Sequence, residues 1–486
     1  MTLGELLGPE ASLPAPWLAV PIAGLAADSR AVKPGYLFAA LPGSQTDGAR
    51  FIEDALGRGA AAILVPQGGA HAYSATPVLE DPDPRRRLAL IAARFFGAQP
   101  ETAVAVTGTN GKTSVASFVR QIWERQGLRA ASLGTVGLES PCGLQPLRHT
   151  TPDPIELHHM LASLAKDSVT HLALEASSHG LQQRRLDGVN FAAGAFTNLS
   201  RDHLDYHASL EDYFNEKLRL FRELLPKGAA AVVDVDSEAG QQVAAEASAR
   251  GLAVISVGRK GADLRLCSAS RDGFGQILDV EHAGKMHRLR LPLVGDFQAA
   301  NALVAAGLVM ACGSSAHEVP PLLANLRGAR GRLDFAGTAR GGAPIFVDYA
   351  HTPDALAKAL DALRPYVEHR LLVVFGCGGD RDKGKRPEMG SVAAAKADLI
   401  FVTDDNPRTE DSAAIRREIL AAAPEAIEVA DRADAIAQAI AELTSGDVLL
   451  VAGKGHETGQ IVGDTVIPFS DHAVVAAASR EGGAHG

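Results

Sequence analysis

Cysteine is scarce in this chain of 486 residues, and the scarcity excludes two architectures at once. Cys142, Cys267, Cys312 and Cys377 stand far apart, with no Cys-x-x-Cys pair for histidines to complete as a zinc finger. Neither a disulfide scaffold nor a structural zinc site is implied. Aromatic residues are also few, at 5%, while glycine is abundant at 49 residues. That balance favours an α/β architecture, where glycines turn strands into helices. Long apolar runs are missing: no uncharged, continuously apolar run approaches the roughly 20 residues needed to span a bilayer. The first ten residues, Met1-Thr-Leu-Gly-Glu-Leu-Leu-Gly-Pro-Glu10, lack a basic start followed by an apolar core. A reduced cytoplasmic compartment and no membrane span are therefore expected. An excess of positive charge is absent too, with a net charge of -10. This disfavours a non-specific nucleic-acid binder, and no nucleic-acid partner is expected. It leaves open a local anion site made from backbone N–H groups and a few cations.

What is present is 46% hydrophobic and 21% charged sequence, long enough for two to four domains with their own cores. Three blocks are legible. Residues 1–98 hold short strand-like runs, Gly35–Leu41 and Ala60–Val65, between glycine and proline turns, and Gly97–Glu101 reads as a linker. Residues 99–329 open with a β run, Thr102–Thr107, then a glycine loop and a helical pattern through Trp123. Further strand candidates at Thr170–Glu175, Gly194–Asn198 and Ala229–Asp234 alternate with helical stretches, the mark of βαβ units and a parallel sheet. Residues 330–486 repeat the rhythm at Ile345–Asp348, Leu371–Phe375, Leu399–Thr403 and Val448–Ala452. Each of these strands runs into a polar segment bearing glycine or proline. Ligands of open parallel sheets bind at strand carboxyl ends, so the four segments point to one cleft. The tail from Glu481 to Gly486 is expected to be disordered.

The loop Thr107-Gly-Thr-Asn-Gly-Lys-Thr-Ser114 lies between the β run and the helix. Its glycines free backbone N–H groups to face phosphate oxygens, Lys112 reaches the β/γ-phosphates, and the Thr113 hydroxyl suits Mg²⁺. The strict pattern G-x-x-x-x-G-K-[ST] fails at Val106, where its first glycine would fall. A plain glycine turn with a solvated Lys112 is the competing reading, and the strand before and helix after argue against it. ATP binding follows, but such a loop alone names no reaction.

Three other residues are ambiguous when taken locally. Glu175 ends a buried strand, where a carboxylate either holds Mg²⁺ or is simply solvated. His203 could ligate a metal or serve as a structural hydrogen-bonder. Lys217 lies in a helix opened by a capping box from Ser209 to Asp212, on the shoulder of a stripe formed by Leu210, Phe214, Leu218, Phe221 and Leu225. Pattern alone makes it a lysine snorkelling to solvent.

As an ordered set these motifs resemble the Mur ligase family across essentially the whole chain. The set comprises Thr107–Ser114, Glu175–Gly180, Asn198–His207, Lys217, Asn301, Arg332 and Asp348. Within the family, His149–Asp153, Gly376–Arg386, Asp405–Arg408 and Gly453–Glu457 are similar to the branch that adds a diamino acid to a muramoyl dipeptide. The resemblance implies three domains: a small α/β N-terminal UDP-binding domain (1–98), a central P-loop-type mononucleotide-binding parallel sheet (99–329) and a C-terminal Rossmann-like domain for the amino acid (330–486). It implies an ATP-dependent ligase of peptidoglycan precursor synthesis, joining meso-diaminopimelate to UDP-N-acetylmuramoyl-L-alanyl-D-glutamate through an acyl phosphate. A monomer is expected, with these small molecules as partners.

The resemblance also assigns roles. Gly108, Thr109, Asn110, Gly111, Lys112, Thr113 and Ser114, with Asn301, Arg332 and Asp348, would contact the nucleotide. Thr113, Glu175, His203 and Lys217 would hold one or two Mg²⁺ ions, Lys217 as a carbamate formed with CO₂, which displaces the snorkelling reading. Lys112, Glu175, His203 and Lys217 form the catalytic set, and domain closure would exclude water from the acyl phosphate. Ser29 would meet the uridine diphosphate, although a turn residue fits it equally, and the match at Ser44–Thr46 is partial. Thr150, Thr151, Ser177, Gln183 and Arg185 would meet the sugar-peptide portion. Diaminopimelate would be held by Arg381, Asp405, Asn406, Pro407, Arg408, Gly453 and Glu457, with Arg408 pairing a carboxylate and Glu457 the distal ammonium. A structural ion pair from Arg408 to Glu410 or Asp411 is the alternative. The rival functions are an L-lysine-adding synthetase, a folylpolyglutamate-synthase-like ligase, and a P-loop ATPase acting on a protein partner.

Overall fold

The computed structural model describes residues 1–9, 13–43, 46–69, 76–200, 206–339 and 341–481. The expected tail 482–486, the histidine at 203 and the 44–45 part of the partial match lie outside the described residues. The chain forms two compact units. The first holds Met1–Lys112, Val119–Val257 and Gly307–Ser314, and the second Thr113–Phe118, Gly258–Ala306 and Ser315–Gly486.

The first unit contains two sheets. β1 (Gly24–Ala26), β2 (Tyr36–Ala39), β3 (Ala62–Pro66) and β4 (Val78–Asp81) pair in parallel in that order. Side chains alternate across it: Leu37 and Ala39 join a core with Leu3, Leu88 and Ile91, whereas Phe38 faces Ile52, Ile63 and Val65. The larger sheet is built on β5 (Thr102–Thr107), β6 (Ala130–Gly134), β7 (Gly137–Ser140), β8 (Gly143–Gln145), β9 (His171–Glu175), β10 (Phe191–Phe196), β11 (Ala230–Asp234) and β12 (Ala253–Gly258). Its order is β12-β11-β10-β5-β9-β6-β7-β8, parallel from β12 to β6 and antiparallel beyond. β9 and β10 therefore flank β5 on opposite sides, and the chain leaves all three at one edge. The segment read as a linker is pinned at the opposite edge, where β5 and β10 begin: Gln99 donates from Nε2 to the Gly188 carbonyl (2.8 Å) and accepts the Asn190 N–H (3.1 Å).

The second unit opens with an antiparallel meander of β13 (Leu264–Arg271), β14 (Gln276–His282) and β15 (Lys285–Leu291). No sequence expectation placed strands there, though Lys285-Met-His-Arg-Leu-Arg-Leu291 alternates at its end. β16 (Asp334–Thr338), β17 (Pro344–Asp348), β18 (Leu371–Phe375), β19 (Leu399–Val402), β20 (Ile427–Glu428) and β21 (Val448–Ala452) pair in the order β16-β17-β21-β18-β19-β20, with only β16 antiparallel. The central strands are apolar on both faces. Leu371, Val373 and Phe375 pack on one side and Leu372 and Val374 on the other, which is why they read as unbroken apolar runs. A hairpin of β22 (Gly459–Val462) and β23 (Thr465–Pro468) precedes the last helix, Asp471–Glu481, so Glu481 closes a helix instead of starting the tail. Among the described residues, no helix is long and apolar enough to cross a membrane.

The helix carrying Lys217 departs from its expected stripe. Ser209 accepts the Asp212 N–H (3.0 Å) as the N-cap. Leu210 is exposed, whereas Phe214, Leu218, Phe221 and Leu225 are buried as the stripe expects, with a π-helical turn at Leu220–Leu224 near its end.

One buried ion pair fastens the last helix to the sheet of the second unit. Arg432 donates from Nε and from a terminal nitrogen to the two oxygens of Asp471 (2.7 and 2.8 Å) and reaches the Ala452 carbonyl (2.9 Å). Both side chains are fully buried. Replacing one partner strands the other charge, so Asp471→Ala is expected to lower unfolding free energy by about 3–5 kcal/mol in denaturant titration.

Candidate active site

The phosphate loop lies against the segment after β10. Thr109 donates its N–H to the Asn198 carbonyl (2.8 Å) and Asn110 donates to Asn198 Oδ1 (3.0 Å). Thr197 Oγ1 donates to the Asn110 carbonyl (2.6 Å), and Ser200 N–H donates to Thr109 Oγ1 (3.0 Å). Gly108 has φ +142°, and a Cβ there would meet Thr197 Oγ1 at 2.0 Å, so only glycine fits. Thr109 and Asn110 spend their N–H groups on protein, so the start of the helix is the part of the loop suited to an anion. Gly111 caps the helix Lys112–Arg125 with no side-chain acceptor, and Thr113 and Ser114 follow in that turn. Lys112 folds back, donating to the carbonyls of Gly108 (2.9 Å) and Thr109 (2.7 Å).

Lys217 reaches the same loop from below. Its ammonium is 1% exposed, donates to the Gly108 carbonyl (2.7 Å), and sits 4.1 Å from the centre of the Tyr213 ring. A snorkelling lysine would place that group in water, so the pattern-based reading is corrected. Tyr213 and the preceding helical turns draw the side chain inward.

Glu175, 1% exposed at the end of β9, accepts the Thr135 N–H on Oε1 (2.7 Å) and the Thr135 hydroxyl on Oε2 (3.2 Å). Gly134 permits this approach, since a Cβ there would lie 2.0 Å from Oε1. Each carboxylate oxygen takes a single protein donor and keeps acceptor capacity. Among the described residues no three His, Cys, Asp or Glu side chains cluster as metal ligands. The donor set fits Mg²⁺, which retains waters and takes phosphate oxygens with only one or two carboxylates.

The residues expected to meet the sugar-peptide form one network around Glu175. Thr135 and Thr150 hydroxyls lie 3.1 Å apart, Thr151 donates to the Glu175 carbonyl (2.9 Å), and Thr151 and Ser177 hydroxyls lie 3.0 Å apart. Arg185 donates to the Thr151 carbonyl (2.6 Å) and to Gln183 Oε1 (2.7 Å), and Gln183 donates to the Tyr206 hydroxyl (3.1 Å). Gln183 and Tyr206 also line a cavity of 1060 Å³ with Ser29, Arg30, Thr46 and Arg85. Ser29 is thus a wall residue of a cavity, beyond its place in a short 3₁₀ turn. Sequence reading missed Arg85, which stands in no motif, and Tyr206, which stands inside the quoted motif Asn198–His207.

In the second unit, Asn301 donates to Gln298 Oε1 (3.1 Å), and Gln298 donates to the Arg332 carbonyl (3.2 Å). Arg332 stacks over Tyr349 at 4.9 Å, and Asp348 accepts the Leu333 N–H (2.5 Å). Burial pushes the Asp348 carboxyl up to about 6, against the opposing pull of Arg332.

The carboxyl ends of β17, β18, β19 and β21 do come together. Gly453 N–H donates to the Asp348 carbonyl (3.1 Å) and Gly379 N–H to the Asn406 carbonyl (2.9 Å). Thr409 Oγ1 donates to Asp380 Oδ1 (2.8 Å), latching the Arg381 segment to the Arg408 segment. Pro407 belongs to the same latch, since a Cβ on Gly379 would meet its carbonyl at 1.9 Å. Arg408 has φ +52°, a strained value for arginine, held by Arg408 N–H to the Ile461 carbonyl (3.1 Å) and Gly463 N–H to the Arg408 carbonyl (2.7 Å). Its guanidinium donates to the Gly379 carbonyl (2.8 Å). The expected alternative, a pair with Glu410 or Asp411, is not what forms. Glu410 accepts from Arg386 (2.9 Å), which helps hold its carboxyl down at about 2, and Asp411 faces Arg417. Asp405 and Asn406 are buried, and Asp405 packs against Gly453, whose Cβ would lie 2.8 Å from Oδ2. Glu457 Oε2 accepts from Asn406 Nδ2 and from Lys454 Nζ, each at 2.9 Å. Lys454 escaped the sequence reading, although it stands inside the quoted motif Gly453–Glu457.

Comparison with known proteins agrees with this arrangement. Models of the Mur ligase family match residues 21–96 (Mur ligase family, catalytic domain), 106–309 (Mur ligase middle domain) and 331–455 (Mur ligase, glutamate ligase domain). A UDP-N-acetylmuramoyl-L-alanyl-D-glutamate–2,6-diaminopimelate ligase of Bradyrhizobium diazoefficiens is 57% identical over 484 residues, spanning 98% of this chain and 99% of that protein. The protein of the same name from Brucella melitensis is 55% identical over 459 residues, 94% of each. A solved structure of a ligase of that name superposes with TM-score 0.74 at 32% identity, covering 99% of both chains. The chain belongs to the Mur ligase family. It is an ATP-dependent ligase.

The raised Asp348 pKa gives a pH prediction. Its folded value of about 6 exceeds the ordinary 3.8, so the folded protein binds more protons between these values and stability falls as pH rises through that window. Asp348→Asn removes the group. The stability difference, wild type minus variant, is expected to decline from pH 4 to pH 6 in denaturant titrations, and a flat difference would contradict the assignment.

Proposed function

We propose that this chain joins meso-diaminopimelate to UDP-N-acetylmuramoyl-L-alanyl-D-glutamate with cleavage of ATP to ADP and phosphate. The relatives' names carry the reaction class. The observation that carries the choice of amino acid is the meeting of Arg408, Asn406 and Glu457 at the carboxyl ends of β19 and β21. meso-Diaminopimelate has an amino-carboxylate centre at each end, whereas lysine ends in an ammonium alone. A guanidinium for the distal carboxylate and a carboxylate for the distal ammonium match the former. Arg381, on the latched neighbouring segment, supplies a second cation.

The glutamate carboxylate is a poor electrophile. Transfer of the ATP γ-phosphoryl to it gives an acyl phosphate and ADP. The amine of diaminopimelate then attacks that carbonyl, the C–O bond to phosphate breaks, and the amide forms with loss of a proton. Lys112 and the N–H groups of the first helical turn stabilise the phosphoryl oxygens. Asn301, Arg332 and Asp348 contact the nucleotide. Mg²⁺, held by Thr113 and Glu175 and assigned by resemblance also to His203, neutralises phosphate charge when bound. Ser29 and Gln183 hold the nucleotide-sugar in the cavity of the first unit, and Thr150, Thr151, Ser177 and Arg185 its peptide side. We assign 1–98 to the UDP substrate, 99–329 to ATP and 330–486 to the amino acid, in a monomer of the cytoplasm.

Lys217 is proposed to react with CO₂ as the neutral amine, forming an N–C bond and releasing a proton. This turns a buried cation into an anion facing the metal. Its burial beside Gly108 supports the assignment. Lys217→Ala should abolish activity, with partial rescue by added short carboxylates, and near-normal turnover in the variant would sink the carbamate.

Phosphate release with ATP, the muramoyl dipeptide substrate and either meso-diaminopimelate or L-lysine tests the overall reading. Release is expected with diaminopimelate. Release with neither contradicts the reaction, and release with lysine alone contradicts the role of Arg408.

A further inference from the structure

Lys454 is fully buried one turn beyond β21, between Gly453 (φ +115°) and Gly455 (φ +55°). Both glycines adopt backbone values that other residues avoid, and a Cβ on Gly455 would lie 2.7 Å from the Tyr349 side chain. The turn therefore has little freedom, and it directs the lysine inward. Its ammonium donates to Asn406 Oδ1 and to Glu457 Oε2, each at 2.9 Å. Asn406 Oδ1 also accepts the Ile461 N–H (2.9 Å). Two donors on one atom identify that atom as the oxygen, so the amide can point only one way. Its Nδ2 then donates to Glu457 Oε2 (2.9 Å), closing a triangle of lysine, asparagine and glutamate. Both donors fall on Oε2.

We propose that Lys454 is a positioning residue for the amino-acid substrate: it fixes the Asn406 amide and engages Glu457 through Oε2, so that Oε1 is the oxygen presented to the substrate ammonium. This rests on the reading of Glu457 given above. Glu457 is only part-buried, 30% exposed at its side chain, so without the fully buried Lys454 its carboxylate would keep a single bond, from Asn406, and could rotate about it. With Lys454 in place, Glu457 and Asp405 together exceed the buried cation of the triangle by one negative charge, which matches one incoming ammonium. Lys454 itself touches no reacting atom, so its effect should appear in the amino-acid KM.

The test is steady-state phosphate release by the full chain for wild type, Lys454→Met, Lys454→Gln, Glu457→Gln and the Lys454→Met/Glu457→Gln double variant, with melting temperatures recorded in parallel. The expected result for Lys454→Met is a rise of about tenfold or more in KM for meso-diaminopimelate, with KM for ATP and for the muramoyl substrate within about twofold. Because Lys454 acts through Glu457, the double variant should lose no more kcat/KM for diaminopimelate than Glu457→Gln alone. Additive losses, or an equal rise in all three KM values, would overturn the proposal. If Lys454→Met fails to fold, Lys454→Gln, which keeps a donor toward Asn406, decides by the same KM criterion. A wild type that releases no phosphate with diaminopimelate would instead defeat the functional reading, so the two failures are distinguishable.

Discussion

The hydrogen bond from the buried Lys217 ammonium to the Gly108 carbonyl ties the phosphate loop to the helix beneath it. Gly108 belongs to β5's carboxyl edge, and its neighbours Thr109 and Asn110 are tied to Asn198 on the segment after β10. The loop therefore has no room for a side chain at Gly108, and Thr109 and Asn110 spend their N–H groups on Asn198. The same crowding recurs one strand away, where Gly134 admits the Glu175 carboxylate. A buried carboxylate, a buried lysine and the glycine loop are thus arranged by where glycine is obligatory.

The second unit solves a different problem with the same topology. Four parallel strands end side by side, and each end contributes a polar segment: Asp348, the Gly376–Arg381 turn, Asp405–Arg408 and Gly453–Glu457. Arg408 is held at a strained backbone value by two main-chain bonds to the β22–β23 hairpin. Asn406 and Lys454 are buried and both donate to Glu457 Oε2. Arg386, buried and paired to Glu410 and Glu418, draws Glu410 away from Arg408. That division of labour keeps Arg408 available.

Much of the architecture was legible in the sequence, because continuous apolar runs such as Leu371–Phe375 can only be strands buried on both faces. The β13–β15 meander was not, since its alternation is confined to short stretches such as Leu264–Leu266 and Leu289–Leu291, and the rest of β13 is polar and mostly exposed. Motifs located Lys112, Glu175 and Arg408 because their chemistry depends on local spacing. Lys217 was misread from pattern, as helical periodicity records which face a residue occupies but not that the Gly108 carbonyl and the Tyr213 ring hold its tip inside. Arg85 stands in no motif, and Lys454 and Tyr206 stand inside motifs that do not say which distant segments their side chains meet.

The account turns on one covalent event, transfer of phosphoryl to the glutamate carboxylate before the amide forms. Substrate labelled with ¹⁸O in that carboxylate, turned over with ATP and meso-diaminopimelate, tests it directly by mass spectrometry of the released phosphate. The acyl-phosphate route carries a labelled oxygen into phosphate as the tripeptide product appears. Product formation with unlabelled phosphate would contradict it.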